Sequence, residues 1–202
     1  MNSKNALIVM TKKPVLGECK TRLAQTLGDQ KALAIYIQLL NYTAKISKEA
    51  DADLFVYSTD EITNKTPWES LKTHFKIQSN GDLGARMNNA IKEVFQQGYE
   101  KAIVIGSDCA EINSDDINYA FQRLNSKEIV LGPALDGGYY LIGIKTVKPT
   151  LFNNITWSTT YVLEETISKI NSENLSYALL DIKSDIDVEE DLLRDGYVDF
   201  KL

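Results

Sequence analysis

Residues 11–23 carry four cations, Lys12, Lys13, Lys20 and Arg22, around Pro14 and Gly17. Arginine offers phosphate a planar fork and lysine a point charge, and a glycine lets the backbone come close. Lys12, Gly17, Lys20 and Arg22 therefore have the make-up of a phosphate cradle; the plain alternative is a solvated basic loop. The loop is neither a Gly-x-x-x-x-Gly-Lys nor a Gly-x-Gly-x-x-Gly motif. Gly106-Ser107-Asp108 follows an apolar run, and a carboxylate at a strand end is a hard ligand suited to Mg²⁺ or Mn²⁺. The next helix has its own cap in Asn113 or Ser114, which frees Asp108 for that role. Asp185-Ile186-Asp187 is a second acidic site, one of whose carboxylates could meet Asp108 across a metal; the alternative is helix-start chemistry. Gly81-Asp82-Leu83-Gly84-Ala85-Arg86 could hold a base or ribose, or be an ordinary capped turn. Asp136-Gly137-Gly138 reads first as a hairpin turn and second as a backbone passing close to something bulky.

The elements that must position these residues alternate. Continuous apolar runs at 6–10, 54–57, 102–105 and 129–131 suggest strands buried on both faces. Residues 29–50 have a helical period through Leu33, Ile37, Leu40, Ala44 and Lys48. Further helices are expected at 67–74, from 81–84 to about 97 with Gly98 as its stop, after Asn113 with Ile117, Ala120, Phe121 and Leu124 inward, at 158–171 with Ser158 or Thr159 as cap, and from Asp187 to Leu192. A weak strand is expected at 75–78 and another at 175–182. This order implies right-handed crossovers and a mainly parallel sheet covered by helices on both faces. Ligands of such sheets sit beyond the carboxyl ends of the strands, and loops 11–22, 106–112 and 132–138 all leave strands there.

With 202 residues, 44% hydrophobic and 25% charged, the chain reads as one domain, 1–202, able to bury a full core. A net charge of −6 argues against a nucleic-acid surface, which needs a broad basic field. No apolar run approaches a membrane span, and the first residues lack a signal-peptide core. Cys19 and Cys109 make neither a disulfide framework nor a metal knuckle, so a cytoplasmic protein is expected. His74 stands in an expected helix, so Cys109 reads as a small packed residue and not a nucleophile. Exposed aromatics such as Trp68 suit a monomer or a homodimer.

Five ordered motifs carry a resemblance. They are Lys12-x-Pro14-x-x-Gly17-x-x-Lys20-Thr21-Arg22-Leu23, Gly81-Asp82-Leu83-Gly84-x-Arg86-Met87, Gly106-Ser107-Asp108-Cys109, Gly132-Pro133-Ala134-x-Asp136-Gly137-Gly138-Tyr139-Tyr140-Leu141-Ile142-Gly143 and Trp157-Ser158. Over about residues 6–192 the chain resembles a bacterial family of presumptive glycosyltransferases labelled radical-SAM/selenodomain-associated transferase 1. That family lies in the nucleotide-diphospho-sugar transferase (GT-A) superfamily, and the motif order is also similar to 2-phospho-lactate guanylyltransferase and to molybdenum-cofactor nucleotidyltransferases. The resemblance implies an α/β, Rossmann-like three-layer fold with a mainly parallel mixed sheet. It implies that the Lys12–Arg22 loop binds nucleotide phosphates and that Gly81, Asp82, Gly84 and Arg86 face the nucleoside. Asp108 would hold the metal with Asp187, and Asp136, Gly137, Gly138, Tyr139 and Trp157 would line the acceptor or sugar side. Leu16 stands at a usual Pro, Ala110 at the Pro after Asp-Cys, and Val188-Glu189 at a Thr-Pro, so Asp185 competes with Asp187. A single carboxylate at Asp108, where many GT-A glycosyltransferases have Asp-x-Asp, resembles the nucleotidyltransferase arrangement.

Two reactions share this equipment. The one expected first is glycosyl transfer, moving a sugar from a nucleotide-diphospho-sugar to a small acceptor, with Asp136 as candidate base. The other joins a nucleoside triphosphate to a phosphorylated acceptor and releases pyrophosphate, with no base required. Lys20 and Arg22 supply fixed positive charge in both, with Mg²⁺ or Mn²⁺ as cofactor. A non-catalytic nucleotide-binding regulator is the alternative from another class.

Overall fold

The apolar runs lie at the centre of the molecule, enclosed on both sides. The computed structural model describes residues 4–61, 66–69 and 71–194. Strands β1 (Asn5–Thr11), β2 (Asp53–Ser58), β3 (Thr73–Ile77), β4 (Lys101–Ile105), β5 (Ile129–Pro133), β6 (Tyr139–Ile144) and β7 (Tyr177–Leu179) form one sheet in the order β3-β2-β1-β4-β6-β5-β7. The helices are α1 (Thr21–Leu27), α2 (Asp29–Glu49), α3 (Leu83–Gln96), α4 (Ser114–Arg123) and α5 (Val162–Ser172). Every strand pairing is parallel except those of β6, which runs antiparallel to β4 and β5. The reason is the short turn at 134–138, since a parallel return needs a long crossover. The expected mainly parallel mixed sheet of three layers is what forms.

Successive residues of each central strand feed opposite cores, as a two-residue period requires. Leu7, Val9, Ile103 and Ile105 pack with Tyr36, Leu40 and Ala44 of α2 and with Ile117, Ala120 and Phe121 of α4. Ala6, Ile8, Ala102 and Val104 pack with Met87, Ala90, Ile91 and Val94 of α3 and with Ile170 of α5. Each fully buried Leu or Ile contributes about 1.5–3 kcal/mol. A third, small cluster joins Leu23 of α1 and Ile35 and Leu39 of α2 to Ala110 and Ile186. It fastens the helix after the basic loop to the two acidic segments.

Several local expectations are corrected. The described residues of 67–74 are not a helix: Glu69 N–H bonds Thr66 O and Leu71 N–H bonds Trp68 O in a turn, and Thr73 and His74 already pair with β2. Parallel pairing overrides the local helical signal there. Trp68 is buried rather than exposed. The helix expected at 158–171 starts only at Val162, with Tyr161 as cap, because Ser158 has φ +64°, outside the helical region. The strand expected at 175–182 is three residues long, and the last helix is a 3-10 turn at Glu189–Leu193. The basic loop gives way at Thr21 to α1, which the loop reading passed over. In α2 the buried stripe is Ala32, Ile35, Tyr36, Leu39, Leu40, Thr43 and Ala44, while Ile37 is exposed. The stripe is turned from the one that the Leu33–Ile37–Leu40 spacing suggests.

The two-glycine turn makes both of its expected features. It closes the β5–β6 hairpin, and its backbone does pass something bulky, the chain before α5. Gly137 has φ +88°, a Cβ there would stand 2.2 Å from Thr160 O, and Leu163 N–H bonds Gly137 O at 2.9 Å. Gly98 has φ +92°, and nothing lies within 4 Å of where a Cβ would stand. Gly137→Ala is therefore expected to cost about 2–4 kcal/mol, backbone strain plus overpacking. Gly98→Ala, with strain alone, is expected to cost about 1–2 kcal/mol. Urea unfolding of the two variants checks the difference.

Candidate active site

Lys20 is the hinge between the basic loop and the acidic segments. It is the cap of α1 and holds a left-handed backbone, φ 48° and ψ 49°. Its Nζ donates to Asp108 Oδ2 and to Asp187 Oδ1, each at 3.1 Å, and its side chain is only 7% exposed. Burial alone would lower its pKa, but the charges of Asp108 and Asp187 and the hydrogen bonds they accept raise it above the ordinary lysine value. Arg22 reaches Asp187 Oδ2 at 3.6 Å from an exposed position. Lys12, Lys20 and Arg22 all line one cleft of about 750 Å³ with Asp108 and Asp187.

The backbone explains how the carboxylates arrive. A Cβ at Gly106 would stand 2.7 Å from Asp108 Oδ1, so the missing side chain leaves room for the carboxylate at the end of β4. Asp187 comes from the segment after β7, which is laced to the loop after β4. Ile186 N–H bonds Asp108 O at 3.1 Å, Cys109 Sγ donates to Ser184 O at 3.3 Å, and Ser184 N–H bonds Glu111 Oε2 at 2.9 Å. Ile186 itself is fully buried between the two aspartates of its segment. Asp187 N–H and Val188 N–H both bond Asp191 Oδ2, at 2.8 and 2.9 Å, which fixes the turn.

Asp185 has a different environment from Asp187. Its Oδ1 is buried and has no hydrogen-bond partner among the described residues. Enclosure raises its pKa well above the ordinary carboxylate range; Asp108, Asp136 and Asp187 add to the shift and Lys20 opposes it. Cys109 is buried, and burial pushes its thiol pKa up; His74 of β3 stacks on Phe55 of β2, at 4.6 Å between ring centres. Cys109 is thus a packed residue, as expected, with no nucleophile's environment.

The donor set suits a hard divalent cation in one specific sense. Asp108 and Asp187 offer carboxylate oxygens with 38% and 42% of their side chains exposed, and the unpartnered Asp185 oxygen lies beside them. No three His, Cys, Asp or Glu side chains among the described residues converge into a ready metal cage. Mg²⁺ is commonly held by one or two carboxylates together with substrate phosphates, which is the arrangement these residues fit.

The residues expected to face a nucleoside divide. Asp82 caps α3, its Oδ1 accepting from Ala85 N–H at 2.8 Å. Gly81 has φ +114°, and Gly84 is a packing glycine, its Cβ position 2.6 Å from the Trp157 ring. Gly17 shapes the basic loop with φ +78°. Arg86 lines the cleft, held by Gly81 O at 2.9 Å. On the other side, Asp136 is an exposed turn residue whose Oδ1 accepts from Gly138 N–H at 2.8 Å. Gly138, Tyr139 and Trp157 line the cleft, Tyr139 edge-on to Trp157.

Three residues escaped the sequence reading. Tyr36 is buried on α2, and its hydroxyl pins the start of the basic loop. It accepts from Lys12 N–H at 3.0 Å, donates to Lys12 O at 3.1 Å, and lies 3.2 Å from Thr11 Oγ1 and 3.5 Å from Ser107 Oγ. Gln78 ties Thr11 O and Tyr57 O together beside Arg86. Glu111 holds Ser184 N–H and Arg194. The correct inward stripe of α2 would have singled out Tyr36, as a polar group on an apolar face. Gln78 and Glu111 left no signal in the local pattern.

Tyr36→Phe is expected to cost about 1–2 kcal/mol, because Lys12 N–H and its neighbours lose their shared partner, and to weaken phosphate binding; urea unfolding and calorimetry with pyrophosphate measure the two. Asp185→Asn is expected to stabilise the metal-free protein at pH 7–8 by about 1 kcal/mol, since it removes an enclosed charge. A carboxyl whose folded pKa is raised adds stability below its unfolded pKa and loses it as pH rises through the folded value. The gain of the variant should therefore fade as pH falls toward about 4, where the unfolded carboxyl also protonates. Thermal melts across that range check it.

With this geometry in view, the likeness to known proteins is consistent along the chain. Over 187 residues it is 27% identical to 2-phospho-L-lactate guanylyltransferase of Methanocaldococcus jannaschii, covering 88% of this chain and 76% of that one. A crystal structure from Desulfovibrio desulfuricans G20, of a protein assigned as a nucleotide-diphospho-sugar transferase, superposes with a TM-score of 0.87 at 26% identity, over 97% of this chain and 93% of that one. A cytidylyltransferase from Leptospira borgpetersenii shares the fold, with a TM-score of 0.59 at 14% identity over 98% and 92% of the two chains. The resemblance drawn from the five motifs is supported. Residues 42–159, which contain four of them, match the family described as "Uncharacterized protein conserved in bacteria (DUF2064)", and the chain belongs to that family.

Proposed function

We infer that the protein is a metal-dependent nucleotidyltransferase, joining a nucleoside triphosphate to a small phosphorylated acceptor. The observation that carries this reading is the enclosed Lys20 ammonium between Asp108 and Asp187, beside a basic loop in the same cleft. An acceptor phosphate oxygen would attack the α-phosphorus, the bond from that phosphorus to the bridging oxygen would break, and pyrophosphate would leave. Lys12, Lys20 and Arg22 would bind the phosphates and offset the charge that builds on their oxygens. Asp108 and Asp187 would hold Mg²⁺ or Mn²⁺, with Asp185 behind them. Such an ion supplies Lewis-acid neutralisation of phosphate oxygens. No base is needed, which agrees with Asp136 being engaged in its own turn. The similarity to the guanylyltransferase over most of the chain supports this choice.

A second reading has one observation in its favour. The Desulfovibrio structure, which superposes over nearly the whole chain, is assigned to sugar transfer. The donor would then be a nucleotide-diphospho-sugar, with Tyr139 and Trp157 on the sugar or acceptor side. We also propose that residues 1–202 act as one domain. No helix among the described residues is long and apolar enough to cross a membrane.

A thermal-shift panel of UTP, GTP, CTP, ATP and their diphospho-sugars, with and without Mg²⁺ or Mn²⁺, tests the reading. A ligand at a hundred times its dissociation constant stabilises by about 2.7 kcal/mol, a rise of roughly 5–10 °C for this length. A metal-dependent shift with a triphosphate, and ³¹P signals of pyrophosphate once acceptors are added, are expected. A shift confined to one diphospho-sugar would replace the first reading by the second. Asp108→Ala should abolish the metal-dependent part of the shift while the protein stays folded by circular dichroism.

A further inference from the structure

Lys20 stands between two kinds of partner. As a member of the basic loop it belongs to the phosphates. In the structure it belongs to the carboxylates, with two of its three N–H donors spent on Asp108 and Asp187. Those carboxylates are also the oxygens offered to the metal. A divalent cation held by these carboxylates would face an ammonium that already stands 3.1 Å from an oxygen of each. Both are cations, and the enclosed lysine has little water to screen the repulsion. The two carboxylates remain partly open to the cleft. Arg22 is in a different situation, because it is 70% exposed and, among the described residues, its ion pair is with Asp187.

We propose that Lys20 is a resident counter-ion which couples metal binding to nucleotide binding by exchange. The proposal rests on the reading of Asp108 and Asp187 as metal ligands. Without ligands the ammonium holds the carboxylate pair and competes with a divalent cation. Nucleotide phosphate draws the ammonium into the cleft and frees the pair. Lys20 is therefore a positioning residue before it is a phosphate ligand. By linkage each ligand raises the affinity for the other by the same factor, so the unliganded protein avoids binding bare metal tightly. Lys20 stands at the start of α1 with its Nζ turned to both carboxylates, where an exchange of partners can take place.

The test uses Mn²⁺ alone, with free ion counted by its electron paramagnetic resonance signal, on the whole protein without nucleotide. Lys20→Met is expected to bind Mn²⁺ about tenfold or more tightly than the unchanged protein, equivalent to about 1.4 kcal/mol. Arg22→Met, which removes the same charge from the rim, is expected to change it far less, because exposed pairs are weak. Equal or weaker binding by Lys20→Met, or an equal gain from Arg22→Met, would overturn the exchange while leaving the metal site standing. Absence of Mn²⁺ binding in every protein, or binding unaffected by Asp108→Asn, would overturn the metal reading itself and the exchange with it. A second measurement needs no lysine variant. Saturating Mn²⁺ should speed acetylation of Lys20 in the unchanged protein and leave Lys76, which is paired with Glu93, as it was. Continued protection of Lys20 at saturation would overturn the proposal.

Discussion

An ammonium that is almost fully enclosed has to be paired. Removing it from water costs several kcal/mol, and only close carboxylates with good hydrogen-bond geometry offset that. Lys20 meets the condition with one carboxylate from the end of β4 and one from the segment after β7. Three distant parts of the chain, separated by 88 and 167 positions, are thereby made to depend on one another. Moving either carboxylate leaves the enclosed ammonium with one partner in place of two.

The sheet makes this meeting possible. β1 and β4 are neighbours with Val9 opposite Ile105, so their carboxyl ends are level and the loops that follow start side by side. Tyr36 and Ser107 then join these ends through one hydroxyl cluster. The third segment is brought in by the antiparallel return of β6. That return places β5 and β7 on the far flank and sends the chain after β7 back across the strand ends. Ile186, buried with Leu23 and Ile35, anchors it. Its neighbours on either side have different surroundings: Asp187 turns to Lys20, and Asp185 is enclosed with one oxygen unpaired.

The glycines of the motifs divide by physical cause. Gly106 makes room for a carboxylate, Gly137 for the backbone at Thr160, and Gly84 for the Trp157 ring. Only the first acts directly on a charged group of the cleft. The other two allow close packing behind the opposite wall, where Tyr139 and Trp157 meet edge to face. A glycine-rich motif at a binding cleft need not touch a ligand; here two of the three hold the cleft's own walls together.

Much of this was legible in the sequence, for reasons of local physics. Doubly apolar runs can only be central strands, alternation with helices requires parallel crossovers, and such crossovers put loops 11–22, 106–112 and 132–138 at one edge. The Asn113 cap and the inward face Ile117, Ala120, Phe121 and Leu124 follow from the same reasoning. What escaped depends on contacts between residues remote in sequence. The α2 stripe was misplaced because its helix is covered on one side by the sheet and on another by α1, so two faces are apolar and spacing alone cannot orient them. Within 67–74, Thr73 and His74 were drawn into β3 by pairing with β2, and the described residues before them form a turn. The choice between Asp185 and Asp187 lay beyond local pattern altogether, since adjacent acidic residues look alike until folding turns one toward Lys20 and encloses the other. The sequence by itself determined the layers and the chemical types at their edge. Tertiary structure decided which charges share a hydrogen bond, because burial and distance are properties of the packed chain.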